Sequence, residues 1–360
     1  MRIDRVEVFS VRLPLVRPFQ SAAGETDARD LGILRLSDSD GRVGLGEITP
    51  YPDPAAPPLS DLLAIFERDA RHQLVGASID AEGFVSSSQL PAAVRSAVDI
   101  ALLDLQARRE EVRVADLLAD PLQESVAVNA TVTAVDPREV AELARRAVDA
   151  GYSTIKLKVG FTAHDEARVG AIREAVGFEP LLRLDVNGRW GTEEAIETIA
   201  ELEDYGIELV EQPVDPSDID AMRAVRESSV VPIVADEGVR ELADLELHLA
   251  KQACDGVAVK LSQVGGISSA MALADAAAGA GLLTFVTSTL DGPIGLAAGL
   301  HFAAARADFS LANGLATGEL FDHTYGSGFP AVEGGALALP TEPGLGVDLD
   351  EDALTELSSP

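Results

Sequence analysis

The sequence predicts an α/β fold: a closed barrel of parallel strands, of (β/α)7β type, carrying an N-terminal α+β capping domain. Three observations predict it. From about residue 125 onward, short aliphatic runs alternate with amphipathic stretches whose apolar residues fall at three- and four-residue spacing. The ends of the aliphatic runs recur every roughly 24 to 28 residues, which suits one strand plus one helix. An open doubly wound sheet would carry a glycine-rich phosphate loop after an early strand, and the chain has neither GxGxxG nor GxxxxGK(S/T) there.

The elements follow in order. Residues 1–14 and 32–48 read as meandering antiparallel strands, and 60–74 and 91–109 as helices. Together they assign 1–120 to the cap. Strand candidates then fall at 126–131, 154–158, 181–185, 207–211, 231–236, 256–260 and 282–287, with a weaker last one at 315–318. Helices are expected between them, among others at 138–150, 193–205 and 217–228, with Gly151 and Gly206 as stop signals. About eight such units suit a TIM barrel over 121–321. Residues 322–360 are rich in Gly and Pro, have no room for another unit, and are expected to return to the cap.

Composition narrows the partners. Of 360 residues, 47% are hydrophobic and only 4% aromatic, so aliphatic side chains must fill the core. Sixty acidic residues against 28 basic ones give a formal charge of -32, which repels nucleic acid and anionic membrane. Such a surface suits a halophilic setting, where salt screens its self-repulsion. A single cysteine, Cys254, forbids an intrachain disulfide and points to a reducing compartment. The first residues read as an amphipathic strand rather than a signal peptide, and Asp275 with nearby glycines interrupts the longest Ala-rich stretch. A soluble, cytoplasmic protein is expected. Nothing in the residues sets the oligomeric state, homo-oligomer included.

The basic residues include only four lysines, Lys156, Lys158, Lys251 and Lys260; the other 24 are arginines (28 less 4). Arginine cannot release its proton in a protein, whereas lysine can once its pKa is lowered. Lys251 sits in a polar helical stretch and reads as solvated. The other three close predicted strands. Reading the strand ends in order gives Lys158, Asp185, Glu211, Asp236 and Lys260, with Lys156 and Arg183 two residues back on the same faces, which places Arg183 among the expected neighbours of the carboxylates. Either these are strands that merely end in charge, or they converge at the catalytic end of a barrel. Three convergent carboxylates need a compensating charge. All-oxygen ligation favours Mg2+ or Mn2+, and the five histidines show no ligand spacing. The chemistry such a set serves is removal of a proton next to a carboxylate, with Lys158 as base, its pKa lowered by cationic Lys156, and Lys260 acting from the opposite side. A Schiff-base aldolase and a metal-binding barrel without catalysis stay open on these residues.

Lys156-Leu157-Lys158, Asp185-Val186-Asn187, Glu211-Gln212-Pro213, Asp236-Glu237 and Lys260 resemble the motif set of the muconate-lactonizing branch of the enolase superfamily. Lysine bases beside Mg2+ are a general feature of that superfamily. The resemblance implies metal ligands at Asp185, Glu211 and Asp236, the acid/base pair Lys158 and Lys260, and Asn187 and Glu237 near the metal. It also implies cap loops at about 17–26 and 48–58 closing over a small carboxylate substrate. Within the branch, Gly46-Glu47-Ile48-Thr49-Pro50, residues 183–190, 287–296 and 313–318 look most like o-succinylbenzoate synthase, a carbon–oxygen lyase of menaquinone biosynthesis. That implies dehydration of 2-succinyl-6-hydroxy-2,4-cyclohexadiene-1-carboxylate. Ser288 and Thr289 are then candidates to bind a substrate carboxylate, or simply a helix N-cap. A dipeptide epimerase would be expected to place Asp-x-Asp after the seventh strand, and only Asp291 is present. N-succinylamino acid racemase and muconate cycloisomerase are the alternatives on the same scaffold.

Overall fold

The computed structural model describes residues 2–21, 24–53, 56–78, 80–120 and 122–358. Three strands, β1 (Ile3–Ser21), β2 (Gly24–Asp38) and β3 (Val43–Ile48), form an antiparallel sheet in that order. Helices α1 (Leu59–Ile65), continued by a π turn at Phe66–Ala70 into α2 (Arg71–Leu74), and then α3 (Ala81–Ser87), α4 (Ala92–Glu110) and α5 (Val114–Leu118) follow. The long α4 lies directly on β3. A Cβ at Gly46 would come within 1.9 Å of the Ala97 carbonyl oxygen, and one at Gly44 within 2.2 Å of that of Ala101. Glycine is what lets helix backbone and strand backbone touch.

The rest of the chain alternates as expected. Strand β4 (Ser125–Ala127) leads into β5 (Ala130–Val132), α6 (Pro137–Asp149), β6 (Thr154–Lys158), α7 (Asp165–Val176), β7 (Leu181–Asp185) and α8 (Thr192–Glu201). Then come β8 (Ile207–Glu211), α9 (Ile219–Ser228), β9 (Ile233–Ala235), α10 (Leu242–Lys251), β10 (Gly256–Val259), α11 (Leu261–Val264), α12 (Ile267–Gly279), β11 (Leu283–Val286) and α13 (Pro293–Ala304). Strands β5 to β11 form one parallel sheet in sequence order. Helix α6 shows why: Asp136 caps it by accepting from the Arg138 and Glu139 amides, Pro137 opens it, and Val140, Ala141, Ala144 and Ala147 form its buried stripe. The barrel interior holds Leu209, Val234, Ala258 and Phe285, one from each of four successive strands.

Two expected strands are corrected. Residues 126–131 do not form one strand: β4 turns away to pair antiparallel with β13 (Ala336–Ala338), and only β5 joins the barrel. The eighth strand expected at 315–318 is a 3-10 turn, Ala316–Leu320. The barrel instead closes two residues earlier, where Asn313 bridges Val128 and Gly314 bridges Thr287. Contact there is so close that a Cβ on Gly314 would fall 2.3 Å from Thr287 Oγ1, so only glycine fits at that bridge.

After α13 the chain runs through β12 (Gly326–Ser327), β13, β14 (Asp348–Leu349) and α14 (Glu351–Leu357). This tail touches both halves of the molecule: Ser358 bridges Val11 of the cap, Arg108 bonds Asp348, and β13 pairs with β4. Among the described residues no helix is long and apolar enough to cross a membrane.

Candidate active site

Register alone brings the strand-end residues together. Lys158 lies beside Asp185, and Asp185 beside Glu211, in the parallel ladders β6–β7 and β7–β8. With Asp236, which follows β9, the three carboxylates offer oxygens within 4.8 Å of one another, and all three residues are buried. Lys156 Nζ reaches both Glu211 oxygens and Asp185 Oδ2 at 2.7 Å. Lys158 Nζ donates to Asp185 Oδ2 at 2.6 Å and to Asn187 Oδ1 at 2.9 Å. From four strands away in sheet order, just after β10, Lys260 Nζ donates to Asp236 and lies 3.8 Å from Glu237. Asn187 Nδ2 and the Tyr51 hydroxyl both donate to Glu237 Oε1, at 2.8 and 3.0 Å.

The backbone is strained where these strands end. Asn187, Gln212 and Leu290, which follow β7, β8 and β11, have φ of 49°, 40° and 60°, sparsely populated for side chains other than glycine. The Gln212 amide holds this arrangement, accepting from the Asp236 and Gly238 amides and donating to the Val214 carbonyl.

The electrostatics follow from burial of unlike charges. Burial opposes ionisation of Asp185, but the Lys156 and Lys158 ammoniums outweigh it and hold its carboxyl below the usual range. Burial, then the neighbouring Glu237 carboxylate, pushes Asp236 well above that range, against the pull of Lys260. Burial draws Lys156 down, yet Asp185 and Glu211 more than offset this, so Lys156 stays a firmly held cation.

Asp236 Oδ1 and Glu237 Oε2 are buried without a hydrogen-bond partner among the described residues. Unused carboxylate oxygens beside a convergent all-oxygen donor set fit a hard divalent cation. Asp185, Glu211 and Asp236 are the residues that would hold it.

The open face is a cleft of about 370 Å³ between barrel and cap. Lys156, Lys158, Asn187, Glu237, Lys260, Ser288 and Thr289 line it. Both readings of the seventh-strand loop have support: Ser288 Oγ accepts from the Asp291 amide as a cap would, while Thr289 Oγ1 bonds Ser262 Oγ and faces the cleft. Arg183 is elsewhere. It points into the barrel one layer below the carboxylates, bonds Glu208 Oε2 at 2.5 Å and the Ala312 carbonyl at 2.6 Å, and stacks 4.9 Å from the Phe285 ring centroid. No hydrogen bond joins it to the triad among the described residues, so its placement near the metal ligands is corrected: the two-residue spacing gives the same face but a deeper layer. Lys251, at the barrel's outside, pairs with Asp220 at 2.7 Å. Of the expected cap loops, residues 22, 23, 54 and 55 lie outside the described residues; Phe19, Thr26, Tyr51, Pro52 and Asp53 from the same segments line the cleft. Sequence reasoning did not single out Tyr51, inside the expected 48–58 cap loop, or Arg189, inside the quoted 183–190 segment. The signal for Tyr51 was slight: one of four tyrosines, placed directly after the Gly46–Pro50 motif.

A capped parallel barrel with acid triad and opposed lysines at its C-terminal strand ends defines a barrel enzyme with a candidate metal centre. Residues 3–119 match the N-terminal domain of the mandelate racemase / muconate lactonizing enzyme family, and 139–353 match the enolase C-terminal domain-like family. The chain belongs to the muconate-lactonizing branch of the enolase superfamily. It is 30% identical to muconate cycloisomerase 1 of Rhodococcus opacus, over 98% of each chain. It is 29% identical to L-Ala-D/L-Glu epimerase of Bacillus subtilis, over 96% of this chain and 97% of that one. The solved N-succinyl Arg/Lys racemase of Bacillus cereus superposes with a TM-score of 0.94 at 27% identity, covering 99% of this chain and 98% of the other.

Proposed function

We propose that this enzyme is an o-succinylbenzoate synthase, dehydrating 2-succinyl-6-hydroxy-2,4-cyclohexadiene-1-carboxylate in menaquinone biosynthesis, in a cytoplasm of high salt. One observation carries the choice among branch reactions: Asp291 faces away from the cleft. It is buried, accepts from the Thr289 amide at 3.0 Å, and lies in the field of Arg29. The wall after the seventh strand therefore offers hydroxyls, Ser288 and Thr289, and among the described residues no carboxylate from that loop to hold a substrate ammonium. That favours an anionic substrate over a free dipeptide.

Mg2+ or Mn2+, when bound to Asp185, Glu211 and Asp236, supplies electrostatic stabilisation for the charge that gathers on the substrate carboxylate as its α-proton leaves. Lys158, positioned by Asn187, is the base that takes that proton. The C–H electron pair becomes a ring double bond as the C–O bond on the adjacent carbon breaks. The same ammonium then protonates the departing hydroxide, so the products are water and an aromatic ring, and the base is regenerated. Lys260 stays a cation on the far side, its charge raised in stability by Asp236 and Glu237 against the cost of burial.

Assay of the cyclohexadiene precursor tests this directly. Lys158→Ala and Lys260→Ala should each lower kcat by roughly 10²–10⁴-fold, and EDTA should abolish turnover until metal is restored. Full activity in either variant sinks the assignment. N-succinylamino acid racemisation is the second reading, favoured by two lysines borne four strands apart, on opposite sides of the barrel. A chain that racemises N-succinyl amino acids and leaves the precursor untouched is that racemase instead.

A further inference from the structure

Four cationic side chains line the cleft, and three of them, Lys156, Lys158 and Lys260, are engaged with the triad carboxylates. The fourth, Arg189, is exposed, and its guanidinium has no hydrogen-bond or ion-pair partner among the described residues. Most arginines are ion-paired, and of those without an ion pair among the described residues Arg189 is the one that lines the cleft.

Its backbone is fixed on both sides. The Gly188 amide donates to the Gln212 carbonyl at 2.7 Å, the Arg189 amide to Val186 at 3.3 Å, and the Trp190 amide to Pro213 at 3.2 Å. Trp190 is itself buried, and a Cβ at Gly188 would press on Pro216 at 3.1 Å. Asn187, two residues earlier, bonds the Lys158 ammonium. One short, pinned loop thus carries both the residue that orients the proposed base and a free guanidinium. The pinned backbone fixes where the guanidinium can reach, the side chain itself being ordered only on binding, and a guanidinium matches the two oxygens of a carboxylate.

We infer that Arg189 binds a second carboxylate of the substrate, distal to the one at the triad, and so selects dicarboxylates such as those bearing a succinyl arm. The inference rests on the proposed function for the identity of the first carboxylate's ring, and not for the distal contact itself.

Calorimetric binding to the Mg2+-loaded protein tests it with two ligand pairs that differ only in the distal carboxylate: o-succinylbenzoate against 2-butyrylbenzoate, and N-succinyl-phenylalanine against N-butyryl-phenylalanine. Arg189→Gln should weaken the succinyl member of whichever pair binds by about ten- to a hundredfold, while the butyryl member changes less than about twofold. Arg189→Lys should recover part of the loss. Equal weakening of both members, or no weakening of either, overturns the inference, as does failure of all four ligands to bind the unaltered protein. If only the phenylalanine pair binds and shows the selective loss, Arg189 keeps its role and the synthase assignment falls.

Discussion

At the scale of single residues, two buried titratable groups outside the cleft pull stability in opposite directions with pH. His301 on α13 is fully buried, accepts from the Ala115 amide at 3.1 Å, and is pushed down to about 4 by burial. A folded-state value below the unfolded 6.5 means its contribution is present above 6.5 and is lost as pH falls towards 4. The difference is on the order of 3 kcal/mol. Asp99 on α4 does the reverse: burial raises it to about 6 although Ser268, at the start of α12, donates to it through both amide and hydroxyl. Its contribution is present below 3.8 and is lost as pH rises through 6. Thermal melts of His301→Asn should therefore lose less stability between pH 6.5 and 4 than the unaltered protein. Asp99→Asn should flatten the rise on the acid side; unchanged profiles in both variants would contradict the assignment. The candidate site was largely legible at this scale, because a chain that uses arginine elsewhere keeps lysine at Lys156, Lys158 and Lys260. Tyr51 and Arg189 were not, since loops place them, and loop geometry follows from tertiary contacts such as the Trp190–Pro213 bond.

At the scale of elements, what could be read depended on periodicity. Strands that close on Lys158, Asp185 and Glu211 end where expected because a polar residue breaks an aliphatic run. Barrel closure at Asn313–Gly314 could not be read, because two residues carry no periodic signal and the contact depends on Gly314 pressing against Thr287. Gly46 is the counterpart in the cap. Its neighbour Glu47 is buried and accepts from Thr49 Oγ1 and the Gly292 amide at 2.8 Å and from the Tyr325 hydroxyl, joining cap, seventh-strand loop and tail. Gly46→Ala must move α4 off β3 or displace Glu47 from that cluster. Overpacking of this kind costs about 1–3 kcal/mol, more where backbone must shift. Urea denaturation should show that loss, and a stability within about 0.5 kcal/mol of the unaltered protein would mean the helix–strand contact yields more easily than the backbone distance implies.

At the scale of the whole molecule, the excess of carboxylates sets how stability responds to salt. The formal charge of -32 is spread over exposed helix faces as well as ion pairs. On α8, Glu193, Glu197 and Glu201 are all exposed and repeat every fourth residue, and none of the three has an ion pair among the described residues. Like charges at that spacing oppose the helix they sit on. Adding KCl shortens the screening length from about 10 Å at 0.1 M to about 3 Å at 1 M, less than the spacing of these side chains. Exposed arginine pairs such as Arg146–Glu142 weaken over the same range, but each contributes little and the uncompensated acids outnumber them. The melting temperature should therefore climb steadily with KCl. Glu197→Lys, which turns two repulsive contacts into attractive ones, should raise it by about a degree at 0.1 M and leave it unchanged at 2 M. A variant effect equally large at both salt concentrations would place its origin in helix propensity or packing. A melting temperature flat or falling with KCl would mean that self-repulsion does not govern this surface.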